Sequence, residues 1–170
     1  MAFFITSGSH PVGLHRGAPM DVYAWNRSGS TRAVGDVIQF DLTKAQAETT
    51  TVLDGADSSI FSNYVIPAAT IVGAALGAGS FYGVVMESTA DNNKGRVRVQ
   101  GECDAFCIAA SGSIAVGSPL IIATAYNLDL VVAAGEPYHA FALAALTTPT
   151  TRTLCRVMFD GIGNMGTFVS

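Results

Sequence analysis

Residues 81–100, which read FYGVVMES-TADNNKG-RVRVQ, decide the fold class of this chain. In the second half, Arg96, Arg98 and Gln100 alternate with Val97 and Val99, so polar and apolar side chains point to opposite faces of an extended segment. The polar turn TADNNKG separates this segment from the apolar segment before it. The stretch therefore predicts a β-hairpin with one face exposed to solvent and the other face buried.

The rest of the chain repeats this pattern of short apolar segments and turns. Eighteen glycines are spread along the sequence, and the segments between them are rich in Val, Ile, Phe and Thr. Further strands are predicted at residues 36–42, 105–110, 119–124, 130–134, 139–146 and 153–159. Residues 42–48 and 67–77 fit short helices instead. We predict an all-β fold, a compact β-barrel or sandwich of about 7–9 short strands with extended N- and C-terminal arms.

The two ends of the chain lack the periodicity of the middle. We divide the chain into an N-terminal arm and loop (1–32), a β domain (33–161) and a C-terminal tail (162–170). Apolar side chains in the two end segments are candidate contacts with a partner, or else they cover the domain's own core. These candidates are Phe3, Phe4, Ile5, Trp25, Phe168 and Val169.

The composition is poor in charge for a chain of 170 residues. Charged residues make up 13% and hydrophobic residues 49%, with a mean hydropathy of +0.39, whereas a typical soluble domain is about 25% charged. The longest apolar stretches are interrupted by Gly, Ser and Pro, so no membrane span and no secretory signal is predicted. The nine basic residues are scattered and the net charge is −4, which argues against direct nucleic-acid binding. We expect much of the surface to be covered by other subunits.

The segment GIGNMG at 161–166 fits the glycine fingerprint of dinucleotide-binding proteins letter for letter. That fingerprint requires a helix after the glycines and an acidic residue about 20 positions further on. Four residues follow Gly166, too few for either. We interpret the segment as the hinge of the C-terminal tail, and we predict no cofactor.

Nucleophilic catalysis has no supporting motif. Cys107 or Cys155 can be combined on paper with His139 and Asp160 into a triad, but no nucleophile signature surrounds either thiol. Cys103 is the third cysteine, and if it shares a strand with Cys107 the two lie about 13 Å apart, too far for a disulfide. We expect three buried free thiols.

Other reactive residues also lack a defined arrangement. Glu102 and Asp104 are expected at a solvated turn rather than as a catalytic pair. His10 and His15 flank a Pro- and Gly-containing segment without a metal-binding face. Lys94 lies in a turn but lacks the flanking residues of a biotinyl or lipoyl carrier. We predict no catalytic, metal or cofactor residue.

Several segments together resemble the small head decoration, or cement, proteins of tailed double-stranded DNA bacteriophages. The segments are AVGDVIQFD, GVVMES, GRVRVQGECDAFC, VGSPLIIAT, AFALAAL and TLCRVMFDG, in that order over residues 33–161. The resemblance implies a non-enzymatic virion protein, made in the host cytoplasm, that binds the major capsid protein on the outer capsid surface and self-associates as a homotrimer. The alternatives are another minor structural component of the particle, at the tail or a vertex, and a β-barrel carrier or binding module.

Overall fold

The computed structural model describes the chain in ten segments: residues 19–26, 28–40, 63–65, 81–109, 112–123, 126–131, 135, 137–147, 149–162 and 165–167. Within these segments the chain forms eleven strands and no helix. The predicted all-β fold class is confirmed. None of the described residues belongs to a helix long and apolar enough to cross a membrane. The two predicted helices, 42–48 and 67–77, lie outside the described residues.

The strands are numbered here in chain order. They are β1 (Met20–Asn26), β2 (Val37–Phe40), β3 (Asn63–Val65), β4 (Tyr82–Val85), β5 (Lys94–Ile108), β6 (Pro119–Ala123), β7 (Asn127–Leu130), β8 (Pro137–Tyr138), β9 (Ala140–Ala142), β10 (Thr153–Asp160) and β11 (Gly166–Thr167).

Nine of these strands form one sheet that closes on itself through β5. Hydrogen bonds join β5 to β7, β7 to β6, β6 to β9 and β9 to β10. Strand β10 pairs again with β5, which completes a five-stranded barrel. A second circuit begins at the other half of β5. Hydrogen bonds join β5 to β1, β1 to β3, β3 to β2 and β2 to β4, and β4 pairs again with β5. A closed circuit removes exposed strand edges, which would otherwise template aggregation. The two circuits therefore share β5.

Strand β5 joins two strands that the sequence predicted separately, at 96–100 and 105–110. Its fifteen residues alternate between buried odd positions and more exposed even positions along the whole length. The expected turn at Glu102 and Asp104 is wrong, because both residues lie inside this strand. Gly101 precedes them with φ of +109°, a backbone conformation that favours glycine and lets the strand bend without ending.

Each circuit encloses its own apolar cluster. The barrel is filled mainly by β5, β6, β7, β9 and β10, including Cys103, Leu120, Leu128 and Phe159. The second cluster consists of Ala24, Ile38, Phe40, Val85, Val97 and Val99. Since both interiors lie on the odd-numbered side of β5, its even-numbered side is the outer surface of both circuits.

Strand β1 lies within the segment that the sequence analysis assigned to the N-terminal arm. It pairs antiparallel with β5 from Met20 to Trp25 and buries Ala24 in the second cluster. Residues 20–26 are therefore part of the sheet, while residues 1–18 lie outside the described residues. At the other end of the chain, β11 pairs with β8 in a separate two-stranded sheet, so this part of the predicted tail folds back on its own domain.

Candidate interaction surface

The outer side of β5 and of the strands β1 and β10 beside it carries eight of the fourteen charged side chains in the described residues. We use the term β5 face for the even-numbered residues of β5 and the outward residues of β1 and β10 that pair with them. Going along β5, the cross-strand pairs are Lys94 with Trp25, Arg96 with Tyr23, Arg98 with Asp21, Gln100 with both Met20 and Asp160, Glu102 with Met158, Asp104 with Arg156, and Phe106 with Leu154. Alternation in three strands places these side chains on one surface.

A bidentate ion pair joins β1 to β5. Arg98 donates from Nε and Nη2 to the two carboxylate oxygens of Asp21, at 2.6 and 2.9 Å. Arg96 Nη1 lies 3.5 Å from the same carboxylate. The hydrogen bond from Arg98 lowers the pKa of Asp21, and the same bond raises the pKa of Arg98. The pair fixes both side chains across the sheet, since two parallel bonds restrict rotation more than one.

A second ion-pair group joins β5 to β10. Arg156 Nε donates to Glu102 Oε1 at 2.7 Å, and Arg156 Nη1 lies 3.3 Å from Asp104. These bonds raise the pKa of Arg156. Arg98 Nη1 also donates to the main-chain carbonyl of Glu102 at 2.5 Å, which connects the two groups. The charges of the β5 face are therefore largely matched within the face.

Apolar and aromatic side chains lie at both ends of the β5 face. At one end, Tyr23 is 60% exposed and Lys94 Nζ lies 5.8 Å from the ring centroid of Trp25. At the other end, Leu154 is 47% exposed. A methyl group added at Gly35 would lie 2.5 Å from Leu154 Cδ2, so Leu154 packs directly over that glycine. The β5 face therefore combines exposed apolar area at its two ends with matched charges between them.

A buried carboxylate near one end of β5 lies beside two arginines, each of which stacks on an aromatic ring. Asp36 is 3% exposed, and it accepts hydrogen bonds from Arg152 and from the main-chain nitrogen of Ala33. Arg32 Nη1 lies 3.8 Å from the same carboxylate. The guanidinium of Arg32 stacks on Tyr126 at 3.9 Å and that of Arg152 on Phe106 at 4.1 Å. This arrangement stabilises the loop before β2, since cation–π contacts strengthen when desolvated.

The residues of the hypothetical triad are not brought together. His139 Nδ1 lies 3.2 Å from the main-chain carbonyl of Asp160, and that oxygen can only accept, so Nδ1 carries the proton. The Asp160 carboxylate instead accepts from the main-chain nitrogen of Ile162 at 3.2 Å. Cys155 is five residues from Asp160 on β10, about 16 Å along the strand. No group of three or more His, Cys, Asp or Glu residues within the described segments could hold a metal ion.

All three cysteines are free and buried. Cys103 and Cys107 share β5, and Cys155 faces them from β10 in the barrel interior. Burial raises the pKa of Cys103 to about 12. A hydrogen bond with Cys155, together with burial, raises the pKa of Cys107, and the same bond lowers the pKa of Cys155 to about 7. The raised pKa values keep Cys103 and Cys107 protonated, and Cys155 is only 2% exposed, so solvent does not reach it. All three cysteines are therefore packing residues.

The structure describes one of the six predicted interface residues. Trp25 is half-buried on the β5 face, while Phe3, Phe4, Ile5, Phe168 and Val169 lie outside the described residues. The prediction missed the ion pairs of the β5 face. The sequence feature that indicates them is the alternation in residues 94–104. Every second residue there is charged, apart from the amide Gln100, and the charge changes once from positive to negative.

The segment GIGNMG begins where β10 ends. The main-chain nitrogen of Gly161 donates to Val99 O at 2.8 Å, and Tyr82 N donates to Gly161 O at 2.9 Å. Met165 N donates to Tyr138 O at 2.9 Å just before β11. The first glycine of the motif therefore fixes β10 between two other strands, and its lack of a side chain serves close packing.

Comparison with known proteins shows a similarity among solved structures. No protein-family model matches the chain, and no curated protein matches it. The chain is similar to the N base of the head fiber gp8.5 of bacteriophage phi29, at 11% sequence identity and a TM-score of 0.47. The similarity covers 86% of this chain and 98% of the other. A TM-score of this size carries no conclusion about the function of this chain.

Proposed function

We propose that this chain is a structural protein of a tailed double-stranded DNA bacteriophage that binds the outer surface of the head and stabilises contacts between capsomers. The order of sequence segments over residues 33–161 is the basis for the phage assignment. The low content of charged residues and the closed all-β architecture are compatible with a rigid module in an assembly. In this proposal the chain has no catalytic role.

The observation that carries the proposal is the matching of charges on the β5 face. Burying an unpaired charge in an interface costs several kcal/mol, whereas a charge that is already hydrogen-bonded to its counterion needs less compensation from the partner. Arg98 with Asp21 and Arg156 with Glu102 meet this condition. Exposed Tyr23 and Leu154 supply apolar area beside them. The face is thus suited to being covered by protein.

We infer that the chain acts in many copies and that each contact is weak. Repeated binding around a symmetric shell raises the total free energy of attachment through multivalency without any new contact type. Cross-links between capsomers then oppose the outward pressure of packaged DNA. Self-association as a homotrimer and binding to the major capsid protein are part of this proposal, with Phe3, Phe4 and Ile5 as candidate anchors that extend a neighbouring sheet edge.

Heads that lack this protein provide the direct test. Purified chain is mixed with such heads, the heads are sedimented, and the bound copies are counted by quantitative mass spectrometry. We expect hundreds of copies per head and slower DNA release on heating. A few copies per particle would assign the chain to a tail or vertex, and absence of binding would refute the proposal.

Removal of residues 1–8 tests the N-terminal anchor. We expect weaker binding to heads, with an unchanged β-sheet signal in circular dichroism, since these residues precede every described strand. Removal of residues 168–170 serves as the matched truncation at the other end. Unchanged binding of the N-terminal truncation would exclude Phe3, Phe4 and Ile5 from the interface.

A further inference from the structure

One side of the barrel carries no charged side chain. Residues 105–128 and 137–151 contain no Asp, Glu, Lys or Arg, whereas 13% of the whole chain is charged. These two stretches contain β6 and β9, the two barrel strands that do not pair with β5. We use the term uncharged face for the outward residues of β6 and β9 and of the segments that continue these strands. The uncharged face consists of Ala115, Val116, Pro119, Phe141, Leu143 and Ala145.

Main-chain hydrogen bonds hold together the two segments beyond β6 and β9. Gly117 N donates to Ala142 O at 2.8 Å. Further along, Ile114 and Leu146 exchange two main-chain bonds, at 2.9 and 2.8 Å, and both side chains pack in the barrel core. The two segments therefore continue the pairing of β6 with β9, and the uncharged face is one fixed surface rather than two independent loops.

A turn presents Val116 to solvent. Ser118 N donates to Ala115 O at 3.1 Å, and Ala115 N donates to Ser118 Oγ at 3.0 Å. Gly117 has a φ of +86°, a conformation that glycine adopts readily in a turn. Val116 is 67% exposed, and Leu143 of the paired segment is 39% exposed. Exposed apolar side chains on a rigid support, within stretches that lack charge, indicate an interaction surface.

Charged side chains border the uncharged face but lie outside it. Leu143 N donates to the main-chain oxygen of Arg156 on β10 at 2.7 Å, and the charge of Arg156 is matched within the β5 face. On β7, Asp129 pairs with Ile121, which is 4% exposed. A protein that covers the uncharged face alone therefore buries no charged side chain of this chain.

From these observations we infer that the uncharged face binds the uncharged face of a neighbouring copy of this chain. A charged side chain placed against this surface would lose its water and gain no counterion, so the surface fits a partner that also lacks charge. The uncharged face itself meets this condition, whereas the β5 face carries eight of the fourteen described charges. Copies with the same net charge of −4 repel one another, and contact through their uncharged faces keeps the charges apart.

The inference names a surface for the self-association that is part of the proposed function, and it rests on that proposal. The β5 face, with its matched charges, stays available for the head. Two surfaces of different chemistry let one copy bind the head and a neighbouring copy at the same time. The contact between copies can form in solution without capsid protein.

A charge introduced into the uncharged face tests the inference. The variants are Val116→Glu and Leu143→Glu, and Tyr23→Glu is the matched control, because it adds the same charge at a 60% exposed position of the β5 face. Molar mass is measured without heads, by size-exclusion chromatography with light scattering. We expect the wild type and Tyr23→Glu to have the mass of several chains. Val116→Glu and Leu143→Glu should dissociate, with a dissociation constant raised about tenfold or more. Circular dichroism verifies that each variant is folded.

Cysteine cross-linking tests whether two uncharged faces lie close together. The three native cysteines are buried, so a thiol introduced by Val116→Cys is the accessible one. We expect a bismaleimide to join Val116→Cys chains into covalent dimers and to leave Tyr23→Cys chains single. A wild type with the mass of one chain, unchanged masses in both glutamate variants at positions 116 and 143, or equal cross-linking at positions 116 and 23 would overturn the inference.

Binding to heads that lack the protein is measured in parallel, so that the two proposals are tested separately. Tyr23→Glu should bind heads more weakly while keeping its mass in solution. If the wild type were a single chain in solution and Val116→Glu lost head binding, the uncharged face would contact capsid protein instead, which overturns this inference and leaves the proposed function in place. An oligomer in solution that does not bind heads would refute the proposed function while the contact between copies stands.

Discussion

Substitution of Gly161 by alanine tests whether the chain closes its two circuits as tightly as the structure indicates. A methyl group at this position would lie 2.7 Å from the carbonyl carbon of Tyr82 and 2.7 Å from Cε1 of Phe159, and even closer to the carbonyl oxygen of Tyr82. The wall is main chain, so it cannot rotate away as a side chain would. Gly161 has no positive φ in this structure, and the clash alone determines the expected effect.

The cost has two parts. Overpacking a well-filled site costs about 1–3 kcal/mol. Moving Tyr82 away also weakens the two main-chain hydrogen bonds that Gly161 makes with Tyr82 and Val99, which contribute about 0.5–1.5 kcal/mol each. We therefore expect a loss of about 3–5 kcal/mol in the free energy of unfolding and a fall in Tm of about 10 °C.

Chemical and thermal unfolding followed by circular dichroism measure this loss. Elsewhere, replacing glycine by alanine stabilises a protein by about 0.4–1 kcal/mol where the conformation allows it, because the unfolded chain loses freedom. A neutral or stabilised Gly161→Ala variant would therefore refute the close approach of β4 to the end of β10. The sign of the change distinguishes the two cases.

Gly83 provides the matched control. A methyl group at Gly83 meets the Cγ1 methyl of Val97 first, which is a side chain, and the nearest main-chain atom, the carbonyl oxygen of Arg98, is farther away at 3.2 Å. Gly83→Ala should be destabilising alone, and Val97→Ala in the same chain should recover part of the loss. Val97→Ala should give no recovery to Gly161→Ala, because Val97 does not form the wall at that site. Recovery at both sites would show that general loosening, rather than a specific contact, explains the effects.

Three further experiments, two substitutions and one thiol labelling, test individual contacts. We expect Asp21→Asn to lower the free energy of unfolding by less than about 1 kcal/mol at neutral pH. Because Arg98 lowers the pKa of Asp21 in the folded protein, the stabilisation from this ion pair is present above about pH 4 and is lost in stronger acid. A stability difference between wild type and variant that persists in acid would contradict this. Burial raises the pKa of Cys103 to about 12, so a thiol reagent should label it after unfolding, and rapid labelling of native protein, located by mass spectrometry, would contradict this. Arg152→Met should cost about 2–4 kcal/mol, because the buried carboxylate of Asp36 loses a partner. Asp36→Asn in the same chain should reduce that cost, and an unchanged cost in a double-mutant cycle would exclude the coupling.

Sequence patterns located most strand segments of the β domain but not their ends. The predicted strands at 36–42, 119–124 and 153–159 correspond to β2, β6 and β10, within a few residues at each end. The predicted strand 139–146 is shortened to β9. The predicted strand 130–134 overlaps β7 (Asn127–Leu130) at Leu130, and its residues 132–134 lie outside the described residues. These ends are decided by where a neighbouring strand stops pairing, which local composition does not encode.

The candidate surface was less predictable than the strands. Alternation correctly placed Arg96, Arg98 and Gln100 on one face, but the partners Asp21 and Arg156 are 77 and 52–54 residues away from the residues they bind. Contacts at such separation depend on strand order, and the scattered basic residues become neighbours only after β1 and β10 have paired with β5.

By itself, the sequence determined that the chain is all-β, because its apolar residues recur every second position between frequent turn residues. It also determined which side chains of residues 96–100 face the core, since that depends on the parity of each residue in an alternating strand. Only the tertiary structure decided that residues 94–108 form one strand shared by two closed circuits, and that β1 belongs to the sheet. The physical reason is that a period of two specifies a face, whereas hydrogen-bond partners are set by the closure of the whole sheet, and a positive φ at Gly101 can bend a strand as readily as end it.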